Sequence, residues 1–166
     1  MLDSIIFIKK RIMDFTFDVF AKTRGFFKAY LEELSLAQLN AIPNGFNNNI
    51  IWNIGHSIVT EQILVYKLSG LEPNVSETLI EKYKKGTKPD GKATQADVDE
   101  LKALAFSTIE HTKADFGSQV FSTFNEYTLS TTGNTLTNVT QAIQFALVHE
   151  GMHAGYILAL LRALKV

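Results

Sequence analysis

The chain has 166 residues, 46% of them hydrophobic and only three of them proline, which suits one globular domain and excludes a disordered chain. Its 16 basic and 17 acidic residues leave a formal net charge of -1, with no block of five or six like charges, so the electrostatic footprint of a nucleic-acid binder is missing. The absence of cysteine removes disulfides, thiolate ligands and a cysteine nucleophile of the protein's own, and is compatible with a reducing cytoplasm.

The opening residues, Met1 to Ile8, carry no leading positive charge, long apolar run or small-residue cleavage site, so we expect no secretory signal. The basic runs Lys9-Lys10-Arg11 and Lys82 to Lys88 are short and interrupted. A first helix is predicted from about Ser4 to Leu34, with Phe15, Val19, Phe26, Tyr30 and Leu34 at helical spacing and Phe20 and Phe27 widening the stripe. Gly25 inside it marks a bend or a close approach. Ser35 to Asn48 reads as an irregular connection, in which Pro43-Asn44-Gly45 is turn chemistry and Asn47-Asn48-Asn49 offers helix caps.

A second helix follows from about Asn49 to Ser69 and is stopped by Gly70. Gly70 to Ala93 is a polar loop. Thr94 with Asp97 forms a capping box, aspartate replacing the usual glutamate, for a third helix from Gln95 to about Phe116. Val98, Leu101, Leu104, Ala105, Thr108 and Ile109 point inward along it. Gly117 to Asn134 is again polar, with Phe121, Phe124 and Tyr127, and is either a short strand or a packed loop. The fourth helix runs from Leu136 or Thr137 to about Leu164. Its apolar end, Ala154 to Leu164, is too short to span a bilayer, and we expect a soluble cytoplasmic protein. Four helices with two long connections and no clear strand predict an all-α four-helix bundle with crossovers, in one domain over residues 1–166. The first and last helices are apolar over a wider arc than one buried stripe needs, which hints at a dimer face.

Three of the four histidines fall on apolar helix faces. On the fourth helix, steps of three and four from His149 pass Ala142, Phe145, Ala146, His153, Tyr156, Ile157, Leu160 and Leu164. The two histidines therefore point inward on one face, one turn apart, where both imidazoles can reach one metal ion. On the second helix, His56 shares its stripe with Trp52, Asn53, Val59, Thr60, Ile63 and Leu64. A bundle that brings these helices together gathers three imidazoles and leaves a fourth position open, the layout of a catalytic or ligand-accepting site. The plainer alternative is a metal-free bundle in which each buried imidazole has a hydrogen-bond partner. Gly55, Gly151 and Gly155 either leave room around a metal or allow close helix packing. His111 reads as a surface residue.

Residues 149–153 also match H-E-x-x-H, the zinc protease pattern with glutamate as general base. Common protease families take a further ligand from downstream, yet Ala154 to Val166 contains no His, Asp or Glu. The third ligand must lie upstream, at His56. Glu150 is then either a base toward a water on the metal or, the reading we favour, a solvated helix residue.

The stretch Asn47-Asn48-Asn49-Ile50-Ile51-Trp52-Asn53-Ile54-Gly55-His56 resembles the second-helix signature of the DinB-like superfamily, named for DNA-damage-inducible proteins. Leu36 to Phe46 is similar to the connection before it, and His149-x-x-x-His153-Ala154-Gly155 to the last-helix signature. The resemblance covers nearly the whole chain. It implies an up-down-down-up four-helix bundle, a divalent metal (zinc or nickel) on His56, His149 and His153, and a homodimer. It further implies a thiol transferase or isomerase reaction with a low-molecular-weight thiol cosubstrate such as bacillithiol or mycothiol, the metal activating that thiol. No residue matches a marker for a particular thiol or substrate.

We therefore expect a metal-dependent transferase or related enzyme acting on a small molecule, and no nucleic-acid or membrane partner. Trp52, Asn53 and Tyr156 sit one turn from ligands and are candidates to line the pocket or orient an imidazole. For Trp52 and Tyr156 we favour plain core packing, and for Asn53 a helix-to-loop hydrogen bond. The alternatives are a non-catalytic metal- or small-ligand-binding homodimer in stress response, and a metal-dependent hydrolase with Glu150 as base.

Overall fold

A computed structural model describes residues 2–166, with side chains from residue 12 onward; the Lys9-Lys10-Arg11 run lies outside the described side chains. Four long helices dominate: α1 (Leu2–Glu33), α3 (Ile50–Val65), α5 (Gln95–Gly117) and α6 (Val139–Leu164). Two short helices, α2 (Leu36–Asn40) and α4 (Glu77–Tyr83), and a two-stranded hairpin of β1 (Tyr127–Thr128) and β2 (Thr135–Leu136) fill the connections. The fold is all-α in class, as the sequence predicts.

Caps set the helix starts. The Asn49 side chain accepts from the Trp52 N–H and begins α3, while Thr94 and Asp97 close the expected box at α5. Ser35 and Gln38 close a second box at α2, a segment expected to be irregular. Asn138 caps α6, so this helix starts at Val139, and Leu136, expected as its first residue, belongs to β2 instead. Helix α4 was expected as loop. It is too short to show a period, but Ser76 caps it and Leu79, Ile80 and Tyr83 are buried.

α3 packs along α6 and α5, and α1 along α5 and α6, so α1 and α3 face each other diagonally, as do α5 and α6. Directions follow from the contacts. Phe17 meets Phe116 while Arg24 reaches the Ala105 carbonyl, so α1 and α5 are antiparallel. Asn53 meets His153 while Leu64 shares a cluster with Ala142, so α3 and α6 are antiparallel. Phe20 clusters with Ala146, and Phe27 with Ile157, so α1 and α6 run parallel. The order is up-down-down-up.

The buried stripe of α1 is Met13, Phe17, Phe20, Arg24, Phe27 and Leu31. The predicted stripe through Phe15 and Phe26 is a misreading: these rings are 70% and 63% exposed. The helix carries aromatics on two faces, and the true core face contains an arginine, which a purely apolar stripe steps around. That arginine belongs to a polar layer between two apolar clusters. One cluster includes Phe27, Ile54, Ile58, Leu101 and Ile157; the other includes Phe20, Val65, Ile109 and Ile143. Between them Arg24 Nε donates to Glu150 Oε2, and its Nη1 donates to the Ala105 carbonyl and Thr108 Oγ1, each at 3.3 Å. Glu61 accepts from Thr112 Oγ1 and from Gln62 Nε2, both at 2.7 Å. All four long helices contribute to this layer, which fixes their mutual rotation and so which faces of α3 and α6 meet.

Candidate metal centre

His56 comes from α3, and His149 and His153 from α6, where their spacing of four puts both rings on the face turned to α3. The structure brings the three together: one ring nitrogen of each lies within 4.8 Å of the others. Nε2 of His149 and Nε2 of His153 are 3.3 Å apart. Two nitrogens bound at about 2.1 Å with a tetrahedral angle between them lie about 3.4 Å apart. The spacing therefore fits two ligands of one ion.

Hydrogen bonds decide which nitrogen His56 and His153 offer. His56 Nδ1 lies 2.7 Å from the Tyr83 carbonyl, which can only accept, so Nδ1 carries the proton and Nε2 the lone pair. His153 Nδ1 lies 2.7 Å from Asn53 Oδ1. Asn53 Nδ2 donates to the Asn49 carbonyl at 2.7 Å, which turns its oxygen toward the imidazole and makes His153 Nδ1 the donor. Both rings thus present Nε2 inward, each held from behind in the way that orients metal-binding histidines. Trp52 lies flat on His56, ring centroids 4.6 Å apart and planes 8° apart, with its indole N–H on Thr87 Oγ1 at 3.1 Å.

Burial also keeps the imidazoles neutral. Desolvation holds His153 down to about 3 and His149 to about 4, assisted by mutual repulsion among the charged rings. His56 is lowered by burial too, opposed by its bond to the Tyr83 carbonyl. At neutral pH His149 and His153 therefore carry no charge that would repel a cation, and the neighbour of His56 Nε2 is the Thr60 hydroxyl at 3.4 Å. Three neutral imidazoles make a donor set for a divalent ion of borderline softness, such as zinc, nickel or copper. His56 and His149 face a cavity of about 150 Å³ that remains on the open side of the cluster.

Other expectations need correcting. Glu150 is neither solvated nor placed to act as a base. It is 1% exposed, turned into the bundle and bound by Arg24, because its position on α6 falls on the α1 side rather than the α3 side. Gly55 packs closely: a Cβ there would meet the Tyr83 ring at 2.6 Å. Gly151 and Gly155 open onto free space, so within the chain neither makes room for a metal nor permits a close helix contact. Asn53 holds His153, and its other bond goes to the carbonyl of Asn49, the cap of its own helix four residues back, rather than across to a loop as expected. Trp52 packs on a histidine ring, whereas Tyr156 meets Phe46, with centroids 5.6 Å apart, and no histidine. His111 is exposed. Tyr83 was missed because its contribution is a backbone carbonyl, which no side-chain pattern reveals.

A family model described as the DinB superfamily matches residues 20–157, a span that includes all three histidines. No curated protein matches the chain.

Proposed function

The chain belongs to the DinB superfamily, and on that premise we propose that it holds one divalent metal, zinc or nickel, on His56, His149 and His153 and serves as a metal-dependent enzyme on a small molecule. The observation that carries this reading is the inward convergence of the Nε2 atoms, two of them 3.3 Å apart, with the opposite nitrogens of His56 and His153 occupied by acceptors. When bound, such an ion supplies a Lewis acid that lowers the pKa of a water or thiol at its open position. Thiol transfer with a low-molecular-weight cosubstrate suits a chain that has no cysteine of its own. Hydrolysis with Glu150 as base is disfavoured, since Arg24 holds that carboxylate inside the bundle. The protein's own residues orient the donors through Tyr83, Asn53 and Trp52, and limit the ligand to what the adjoining cavity takes.

Metal content of untagged protein, measured by mass spectrometry beside His56→Ala and His111→Ala, tests the reading. About one ion per chain is expected in the parent and in His111→Ala, and little in His56→Ala. No ion in the parent, even after incubation with zinc or nickel, would mean that the histidines are structural.

We further propose that two copies pair through the outer faces of α1 and α6. Phe15, Phe26, Val148, Met152 and Leu158 are exposed there, on neighbouring helices, and an apolar surface of this kind marks an association site. Sedimentation of the parent and of Phe26→Glu checks it: a dimer that the variant dissociates is expected, and a monomeric parent at every concentration refutes it.

A further inference from the structure

The cavity beside the histidines carries a chemical bias. Ile63, Leu64, Leu129 and Phe145 give it apolar walls, and at about 150 Å³ it matches the size of an engineered cavity that takes benzene. Its polar side is formed by Lys85, Ser130 and Thr131. Among the described residues that line it, Lys85 is the one with a fixed charge, and no aspartate or glutamate faces it there. Lys85 also takes part in no ion pair among the described residues, whereas its neighbours in the same basic run, Lys82 and Lys84, are paired with Asp97 and Glu81. Its Nζ is instead held by Ser130 Oγ, in the turn of the β1–β2 hairpin. An ammonium fixed by a neutral hydroxyl keeps its charge uncompensated and two of its three protons free for another acceptor. A lysine already paired with a carboxylate would have that charge compensated.

We propose that Lys85 selects an anionic ligand for this centre: a small organic molecule with an apolar body of up to about six carbons, a carboxylate received by Lys85 with Ser130 and Thr131, and a donor atom at its other end for the metal. The inference rests on the metal reading given above. It assigns the recognition role to the hairpin and to the segment after α4, which carry none of the histidines. The apolar walls favour the body of the ligand, and the lone cation sets its sign and its orientation, with the donor end toward His56 and His149.

Zinc-loaded protein, its zinc content measured in the same samples, is titrated calorimetrically with ω-mercaptocarboxylates of two to six carbons and with the matching amides. The thiolate suits zinc, and the amide removes only the charge. For at least one chain length the carboxylate is expected to bind about three- to fivefold more tightly than its amide, as one charge-assisted bond from the exposed Lys85 provides. Lys85→Met should abolish that preference and leave amide binding and zinc content unchanged. Lys85→Arg should keep much of the preference, and Lys88→Met, on a separate cavity, should keep all of it. Equal affinity for acids and amides at every length, or a preference that survives Lys85→Met, overturns the assignment while the zinc reading stands. Absence of zinc from the parent overturns both, and the metal measurement distinguishes the two failures.

Discussion

Replacing Arg24 by methionine tests whether the polar layer holds the bundle together. Arg24 is 0% exposed, and Glu150 and Glu61 are each 1% exposed, so the guanidinium is the countercharge for two carboxylates with no access to water. Burial pushes Glu150 up to about 7 and raises Glu61 as well, with the Arg24 charge opposing both. Removing the cation withdraws that opposition and frees the Ala105 carbonyl and Thr108 of a partner. Breaking a buried ion pair from one side costs about 3–5 kcal/mol, against a total domain stability of about 5–15 kcal/mol. Urea unfolding at pH 7, followed by Trp52 fluorescence and far-ultraviolet circular dichroism, should therefore show a far lower midpoint for Arg24→Met. The deficit should shrink at pH 5, where the orphaned carboxylates protonate at less cost. In the parent, Glu150 has a folded-state pKa above its ordinary value. Its contribution is thus fully present below about 4.5 and is lost as pH rises through about 7. Glu150→Gln should remove that slope. A loss below about 1 kcal/mol for Arg24→Met at pH 7 would refute the reasoning, because it would place the cost near that of an exposed pair.

Four further outcomes are expected. Asn53→Ala should weaken zinc binding about 10- to 100-fold by releasing His153 Nδ1, read by competition with a chromogenic chelator. Gly55→Ala should lower stability by about 1–3 kcal/mol and weaken metal binding too, since its Cβ would displace the Tyr83 ring and with it the carbonyl on His56. Gly151→Ala, in open space on an exposed helical face, should instead raise the melting temperature. Apparent metal affinity should stay nearly level from pH 8 to pH 6 and fall only as pH approaches about 4: His149 and His153 are depressed in the fold, so protons compete with the ion only below their lowered values. A steep fall centred near the ordinary histidine value of about 6.5 would mean that the rings are solvated.

The sequence carries the helices and the histidine faces because both are written as period: steps of three and four run through Ala142, Ala146, His149, His153, Ile157 and Leu160 without a break. It misleads where charge enters the core. Arg24 and Glu150 each sit on a buried face: a stripe drawn through apolar residues passes Arg24 by and runs through exposed Phe15 and Phe26, and Glu150 is sent to solvent from its type. Only the tertiary pairing of the two makes either position affordable, and pairing across 126 residues leaves no local trace. The box of Ser35 with Gln38, by contrast, was readable from its spacing and marks α2.

The crossover is the part of the chain with the weakest pattern and the most to do at the site. Gly70 to Ala93 has no extended period, yet it brings the Tyr83 carbonyl to His56, Thr87 to the indole of Trp52, and Lys85 to the cavity. An up-down-down-up bundle needs a connection long enough to run back along the molecule, because α3 and α5 point the same way. A connection of that length can fold over one end of α3 and supply backbone acceptors that the long helices, with their carbonyls spent on their own ladders, cannot offer. The bundle sets the donors in place and the crossover sets their tautomers and their neighbours. Substitutions at Lys85 or Thr87 should accordingly alter ligand choice and metal affinity more than global stability, whereas those at Leu79, Ile80 or Tyr83, which are buried against α3, should cost stability as well.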